Sequence, residues 1–348
     1  MDKDKGKFTR QEILSQPEAW AAALEVLAAA RRSVLDLAPA RRYGQILFTG
    51  CGSTYYLSLA AAALTQELTG LTCRAFPASE LWLNPRSSYG QAESLTYKTL
   101  LVAVSRSGET TETLRACQAF LEAGRGDLLT LSCYEDMPLA KMGALNIVLP
   151  SGQEQSVAQT RAFSTLYLGA AALAALWADR ADLFDALARL PEAGRRVLAQ
   201  AVSLAAELGP DPSLDRFYWL GSGPRYGLAG ELSLKMKEMS LSHSEPFHFL
   251  EFRHGPKSMV TASTLVVGLR SAVNGSHEAA VLEDMKTLGG RLLDVAETGA
   301  DVCFESGLHE AVRDVLYLPV GQSLAFERAL AKGLDPDRPH HLDTVVRL

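Results

Sequence analysis

Two stretches of this chain can be laid over one another. Thr49 to Ala60 (TGCGSTYYLSLA) and Leu220 to Glu231 (LGSGPRYGLAGE) set Gly50, Gly52 and Tyr55 opposite Gly221, Gly223 and Tyr226, about 170 residues apart. Each stretch follows a short apolar run, Gln45 to Phe48 in one and Phe217 to Leu220 in the other, and each leads into a helical pattern. A strand that stops at Gly-x-Gly and turns into a helix is the opening unit of a doubly wound domain, so its repetition predicts an internal duplication of one α/β fold.

The runs between the two copies fit that frame. Strands are expected at Thr72 to Phe76, Thr99 to Val104, Leu128 to Ser132 and Asn146 to Leu149, then at Leu265 to Leu269, Arg291 to Val295 and Val302 to Phe304. TLLVAV, at 99–104, is apolar at nearly every position, the pattern of a parallel strand covered on both faces. Helices are expected at Tyr55 to Leu68, Glu109 to Glu122, from Val157 to about Leu208, and near Glu278 to Leu288 and Gln322 to Lys332. The fold class is therefore α/β, with two doubly wound, flavodoxin-like domains and parallel sheets. Gly209-Pro210-Asp211-Pro212 breaks the helical pattern and is the expected boundary. The domains are then 1–40, an N-terminal helical segment with Ile13, Trp20, Leu24, Leu27 and Val34 at helical spacing, followed by 41–208 and 213–348.

Composition narrows the partners. A formal charge of -6 and a pI near 5.7 argue against nucleic acid or an anionic membrane, both of which need a basic face. Five scattered cysteines without a CxxC pair read as reduced thiols, and the N-terminus has no secretory h-region, so a cytoplasmic location is expected. The apolar runs are short or interrupted by charge; Phe163 to Trp177 reads as a buried helix rather than a membrane span.

Both glycine turns resemble part of a dinucleotide-binding fingerprint. The third glycine of that fingerprint is replaced by Tyr55 and Tyr226, and no acidic residue ends the second strand, which argues against a nicotinamide cofactor. No other cofactor is implied, and no His/Cys/carboxylate set has metal-ligand spacing. Ser105, Ser107 and Thr110 surround Gly108 between an apolar strand and a helix, where backbone N–H groups and the helix dipole attract anions. Helix capping is the competing reading, since any one of these hydroxyls caps well. Thr54, after Gly52 on the neighbouring strand, is within reach of the same anion. Glu231, Lys235 and Glu238 fall on one helical face at i, i+4 and i+7, beside an apolar stripe of Leu228, Leu232, Met236 and Met239. They read either as a solvated ion pair or as carboxylates bordering a cleft. His254, in Arg253-His254-Gly255-Pro256, is a structural histidine or a proton carrier; His243 is expected to pack or cap.

The doubled Gly-x-Gly unit, the Ser-x-Ser-Gly-x-Thr turn, the Glu-x3-Lys-x2-Glu helix and the His-Gly-Pro turn together resemble the sugar isomerase (SIS) domain family. That family includes the isomerase half of glucosamine-6-phosphate synthase and stand-alone deaminases, deglycases and phosphosugar isomerases. The resemblance covers Gln45 to the C-terminus. It implies that Ser105, Ser107, Thr110, Thr54 and Gly52 hold a sugar phosphate and that the segment with Val157 and Gln159 holds the sugar. It further implies that Glu238 moves a proton between C1 and C2, flanked by Glu231 and Lys235. His254 becomes the ring-opening histidine that the family takes from a partner subunit, so a homodimer with shared active sites is implied. Gln159 stands where the synthase has a serine. Thr344 stands where the synthase has its imine-forming lysine, and the glutamine-hydrolysing domain is not present, which points away from synthesis. The implied activity is isomerisation or deamination of an amino-sugar 6-phosphate, with a fructosamine-6-phosphate deglycase or a non-catalytic phosphosugar-binding regulator as alternatives.

Overall fold

The computed structural model describes residues 5–89 and 98–348. By contacts the chain divides into two compact units. The first comprises Glu18–Gln153, Arg161–Ala188 and Asp343–Leu348; the second comprises Met1–Pro17, Glu154–Thr160 and Arg189–Leu342.

The first unit holds five parallel strands, β1 (Tyr43–Gly50), β2 (Cys73–Pro77), β3 (Lys98–Ser105), β4 (Gly126–Ser132) and β5 (Leu145–Val148), in the order β2-β1-β3-β4-β5. Among its helices are α1 (Ser53–Thr69), α2 (Thr111–Glu122) and α3 (Arg161–Trp177). Leu100 to Val104 of β3 and Ile46 to Phe48 of β1 are fully buried, as a strand enclosed on both faces requires. α3 is buried from Ala162 through Trp177, which its alanine-rich sequence permits because small side chains let it lie close to the sheet. Trp20 from helix Gln16–Asp36 donates its indole N–H to Ser164 of α3 at 2.9 Å, so that helix is integral to the unit.

The second unit repeats the plan. Its strands are β6 (Arg216–Leu220), β7 (His243–Phe247), β8 (Thr264–Leu269), β9 (Arg291–Ala296) and β10 (Val302–Cys303), all parallel, in the order β10-β9-β8-β6-β7. Numbered from each copy's first strand, both sheets run 2-1-3-4-5, the flavodoxin-like order. Its main helices are α4 (Leu190–Leu208), α5 (Pro224–Ser240), α6 (Gly275–Thr287) and α7 (Leu318–Ala331).

Two features differ from the sequence reading. The break at 209–212 ends a helix and not a unit: α4 packs on α7, with Leu198 clustered against Phe326 and Ile13, so it groups with the second unit. Secondly, His243 does not pack or cap. It opens β7, an edge strand that the polar sequence HSEPF concealed, and it is exposed. Pro246 is tolerated there because an edge strand leaves one side of its ladder unpaired.

Candidate functional site

In a 2-1-3-4-5 sheet the connections leave the first and third strands in opposite directions, opening a crevice at their C-terminal ends. In the first unit β1 and β3 are paired, with Thr49 opposite Ala103, so the turn at 50–54 and the loop at 105–110 emerge beside one another. Gly50 allows α1 to fold back tightly: a Cβ there would lie 2.7 Å from the Thr54 backbone. Gly52 adopts φ 55°, a backbone that side chains resist, and faces open space. Thr54 is committed to this turn, accepting from Cys51 N at 2.9 Å and donating to Cys51 O at 3.0 Å. Its role in the site is thus to fix the turn.

The loop is similarly self-braced. Ser105 Oγ accepts from Gly108 N at 3.1 Å, Ser107 Oγ accepts from Glu109 N at 3.3 Å, and the Ser107 and Thr110 hydroxyls lie 3.3 Å apart. Gly108 takes φ 71°, turning the chain so that these hydroxyls gather before α2. The capping reading does not hold, since Thr110 at the N-cap makes no side-chain cap bond; the serine hydroxyls instead brace the loop that precedes α2. Arg106, buried between the two serines, was missed by sequence reasoning; it donates to the Thr344 carbonyl at 2.9 Å.

The equivalent place in the second unit is filled from within. Leu220 pairs with Gly268 as Thr49 pairs with Ala103, and Arg225 occupies the position of Thr54. Arg225 is 3% exposed and ion-paired to Glu310 at 2.7 Å and to Asp314 at 3.4 Å. Glu310 also accepts from Ala272 N at 2.6 Å and Ser271 Oγ at 2.9 Å, and Glu278 accepts from Ser271 N at 2.6 Å. Burial alone would raise the Glu310 carboxyl, but Arg225 and these donors hold it below the usual range. The chain's own carboxylates thus occupy the donors that a ligand anion would use.

What the second unit offers is α5. Glu231 and Lys235 are 0% and 1% exposed, which overturns the solvated ion-pair reading. Lys235 Nζ lies 3.4 Å from Glu231 and donates to Glu238, whose side chain is 18% exposed. Burial opposes the Lys235 charge, but Glu231 and Glu238, with Glu154 behind them, outweigh it and keep its pKa above the ordinary lysine value. Glu238, at the rim of the cluster, is its most exposed member. Leu228, Leu232, Met236 and Met239 form the expected apolar stripe, each at most 1% exposed.

The segment Glu154–Thr160 belongs to this unit, and Glu154 in it was missed because no periodic pattern marks it. Val157 and Gln159 are half-buried, and the Gln159 amide oxygen is enclosed with no donor among the described residues. His254 is exposed, in the turn between two short 3-10 helices, and no hydrogen bond or ion pair joins it to the α5 cluster among the described residues. Among the described residues no group of three or more His, Cys, Asp or Glu side chains could hold a metal ion, and no helix is long and apolar enough to cross a membrane.

Comparison with known proteins agrees with the duplicated α/β sheets. Residues 41–176 match the SIS domain family. These residues are a SIS domain. Among curated relatives, the glutamine–fructose-6-phosphate aminotransferase (isomerizing) of Pseudomonas aeruginosa is 30% identical over 319 residues, covering 85% of this chain and 50% of the relative. The enzyme of the same name from Methanothermobacter thermautotrophicus is 28% identical, over 87% of this chain and 51% of its own. The chain thus spans about half the length of these curated relatives. Among solved structures, a glucosamine-6-phosphate deaminase from Thermotoga maritima is 27% identical with a TM-score of 0.82, covering 98% of this chain and 99% of that one. The tagatose-6-phosphate ketose/aldose isomerase of Escherichia coli shares the fold at 23% identity and a TM-score of 0.83, over 94% of each chain. The second sheet, outside the matched residues, has the same strand order, so the SIS architecture is present twice.

Proposed function

We propose that this SIS-domain protein is a phosphosugar-processing enzyme that moves a proton between C1 and C2 of an amino-sugar 6-phosphate. The observation that carries this reading is the rim position of Glu238, hydrogen-bonded to a buried ammonium. A carboxylate so held removes a proton alpha to a carbonyl and returns it to the neighbouring carbon, a step worth about 10² to 10⁴ in rate. Lys235 stabilises the carboxylate and the enolate oxygen that develops on C1 during transfer. Within the same unit, the Gln159 amide oxygen accepts from a sugar hydroxyl; in the first unit, the 105–110 loop offers hydroxyls and a helix N-terminus to a phosphate. For glucosamine 6-phosphate the transfer yields a C2 imine, which water hydrolyses to fructose 6-phosphate and ammonia. Deamination is the first reading because the 27% identical neighbour with that name matches nearly end to end. By resemblance, His254 opens the sugar ring as part of a homodimer.

The test is a panel of hexosamine and hexose 6-phosphates, with ammonia and ketose measured separately, on wild type and Glu238→Gln. Ammonia with ketose from wild type, falling about 10² to 10⁴-fold in the variant while phosphate affinity holds, is the expected result. Ketose without ammonia moves the assignment to isomerisation. Binding with no turnover of any substrate leaves a regulatory phosphosugar binder.

A further inference from the structure

The segment Glu154–Thr160 lies outside any helix or strand, yet its backbone is clamped from three directions within its own unit. Glu12, on helix Lys7–Leu14, is 3% exposed. One of its carboxylate oxygens accepts from Gln155 N at 2.6 Å and Ser156 N at 3.2 Å, and the other accepts from the Ser156 hydroxyl. The Asp337 carbonyl accepts from Val157 N at 3.1 Å, while the Asp337 carboxylate caps Glu12's own helix through Phe8 N, Thr9 N and Thr9 Oγ1. At the far end Gln322 donates to the Thr160 carbonyl at 3.0 Å, and Glu154 accepts from Thr160 N at 2.8 Å.

A buried carboxylate is costly unless its oxygens are used, and Gln155 N, Ser156 N and the Ser156 hydroxyl, which donate to Glu12, all belong to this one segment. The backbone so fixed carries Glu154, whose charge acts on Lys235, and the half-buried Val157 and Gln159. We propose that Glu12 is a positioning residue for substrate: it sets the 154–160 backbone, and through it the Glu154 charge on Lys235 and the Gln159 acceptor, without touching the ligand itself. The identity of the ligand rests on the proposed function; the hold on the segment does not. Misplacement by about 1 Å in such a segment is enough for losses on the order of a hundredfold.

The experiment uses the full chain with Glu12→Gln, which keeps the side-chain volume but loses the charge and turns an amide N–H toward donors. Ser156→Ala removes the hydroxyl's bonds to Glu12 and to the Ala158 carbonyl, leaves the two backbone N–H bonds to Glu12, and serves where Glu12→Gln folds poorly. Hydrogen exchange is read at the amides of 155–157, together with KM and kcat for glucosamine 6-phosphate and the affinity for inorganic phosphate. Expected are faster exchange at 155–157, a rise of about tenfold in KM or a matching fall in kcat, and unchanged phosphate affinity. Unaltered exchange, or unaltered sugar-phosphate kinetics in a folded variant, overturns the role of Glu12. Phosphate affinity falling in parallel overturns it too, because the damage is then global. Wild-type protein that binds inorganic phosphate but no sugar phosphate overturns the proposed function, and with it the ligand named here; exchange at 155–157 then judges the clamp by itself.

Discussion

Lys235 shows how much a single residue's meaning depends on burial. Its spacing from Glu231 and Glu238 is readable in the sequence, and a four-residue Glu–Lys spacing on an exposed helix is worth only a few tenths of a kcal/mol. Burial could not be read, because the cover over α5 comes from α7, some eighty residues further along, and from β7, which has no apolar signature. Enclosed at 1% exposure, the ammonium is the counter-charge that makes Glu231 tolerable at 0%. Lys235→Met should therefore cost about 3 to 5 kcal/mol, since it strands a buried carboxylate. The double variant Lys235→Met, Glu231→Gln should recover part of that loss while remaining without turnover. Urea unfolding of the two variants and wild type checks this; a double variant no more stable than the single one would count against the pairing. Glu154, the third carboxylate, was not legible, because its link to Lys235 is made by the folded path of an irregular segment.

At the scale of elements, the two glycine turns are nearly superposable in conformation, with φ 55° at Gly52 and 58° at Gly223, yet their surroundings have diverged. The sequence showed the likeness through the glycines and the difference through the Ser-rich turn, which only the first copy carries. It did not show that Glu278, Glu310 and Asp314 close the second crevice, since these carboxylates meet Arg225 only after 50 to 90 residues of chain have folded. That closure has a pH signature. Burial, against the pull of Arg225 and Arg313 and with Glu310 alongside, lifts Asp314 from 3.8 to about 6. An acid that holds its proton more tightly when folded contributes its full stabilisation below the unfolded pKa and loses it as pH rises through the folded one. Between about pH 4 and 6 this group should remove about 3 kcal/mol of stability. Asp314→Asn should flatten that part of the stability curve, and denaturant midpoints measured from pH 4 to 7 on both proteins compare the slopes directly. Equal slopes would mean that Asp314 is ionised throughout.

At the scale of the molecule, the strand order was legible and the division into units was not. Apolar runs and glycine turns are local signals, so nine of the ten strands could be placed from them. Unit membership depends on partners distant in sequence: the chain passes between units after Pro17, Gln153, Thr160, Ala188 and Leu342. The family match at 41–176 therefore does not mark a self-sufficient piece. A 41–176 fragment contains all of β1 to β5, but it lacks the helix Gln16–Asp36, whose Trp20, Leu27 and Val34 are at most 2% exposed. It also loses the Trp20 bond to Ser164, and both partners of the bond that the Trp177 indole donates to the Val34 carbonyl at 3.3 Å. Each buried apolar side chain of this size is worth about 1.5 to 3 kcal/mol, a large fraction of the 5 to 15 kcal/mol that stabilises a typical domain. A fragment spanning 16–188 should consequently unfold in urea with a cooperative transition, while 41–176 should be molten or unfolded, with the fluorescence of Trp82, its one tryptophan, solvent-like before denaturant is added. Equal midpoints for the two fragments would show that the sheet and α1 to α3 suffice, and that the N-terminal helix is an accessory to the fold.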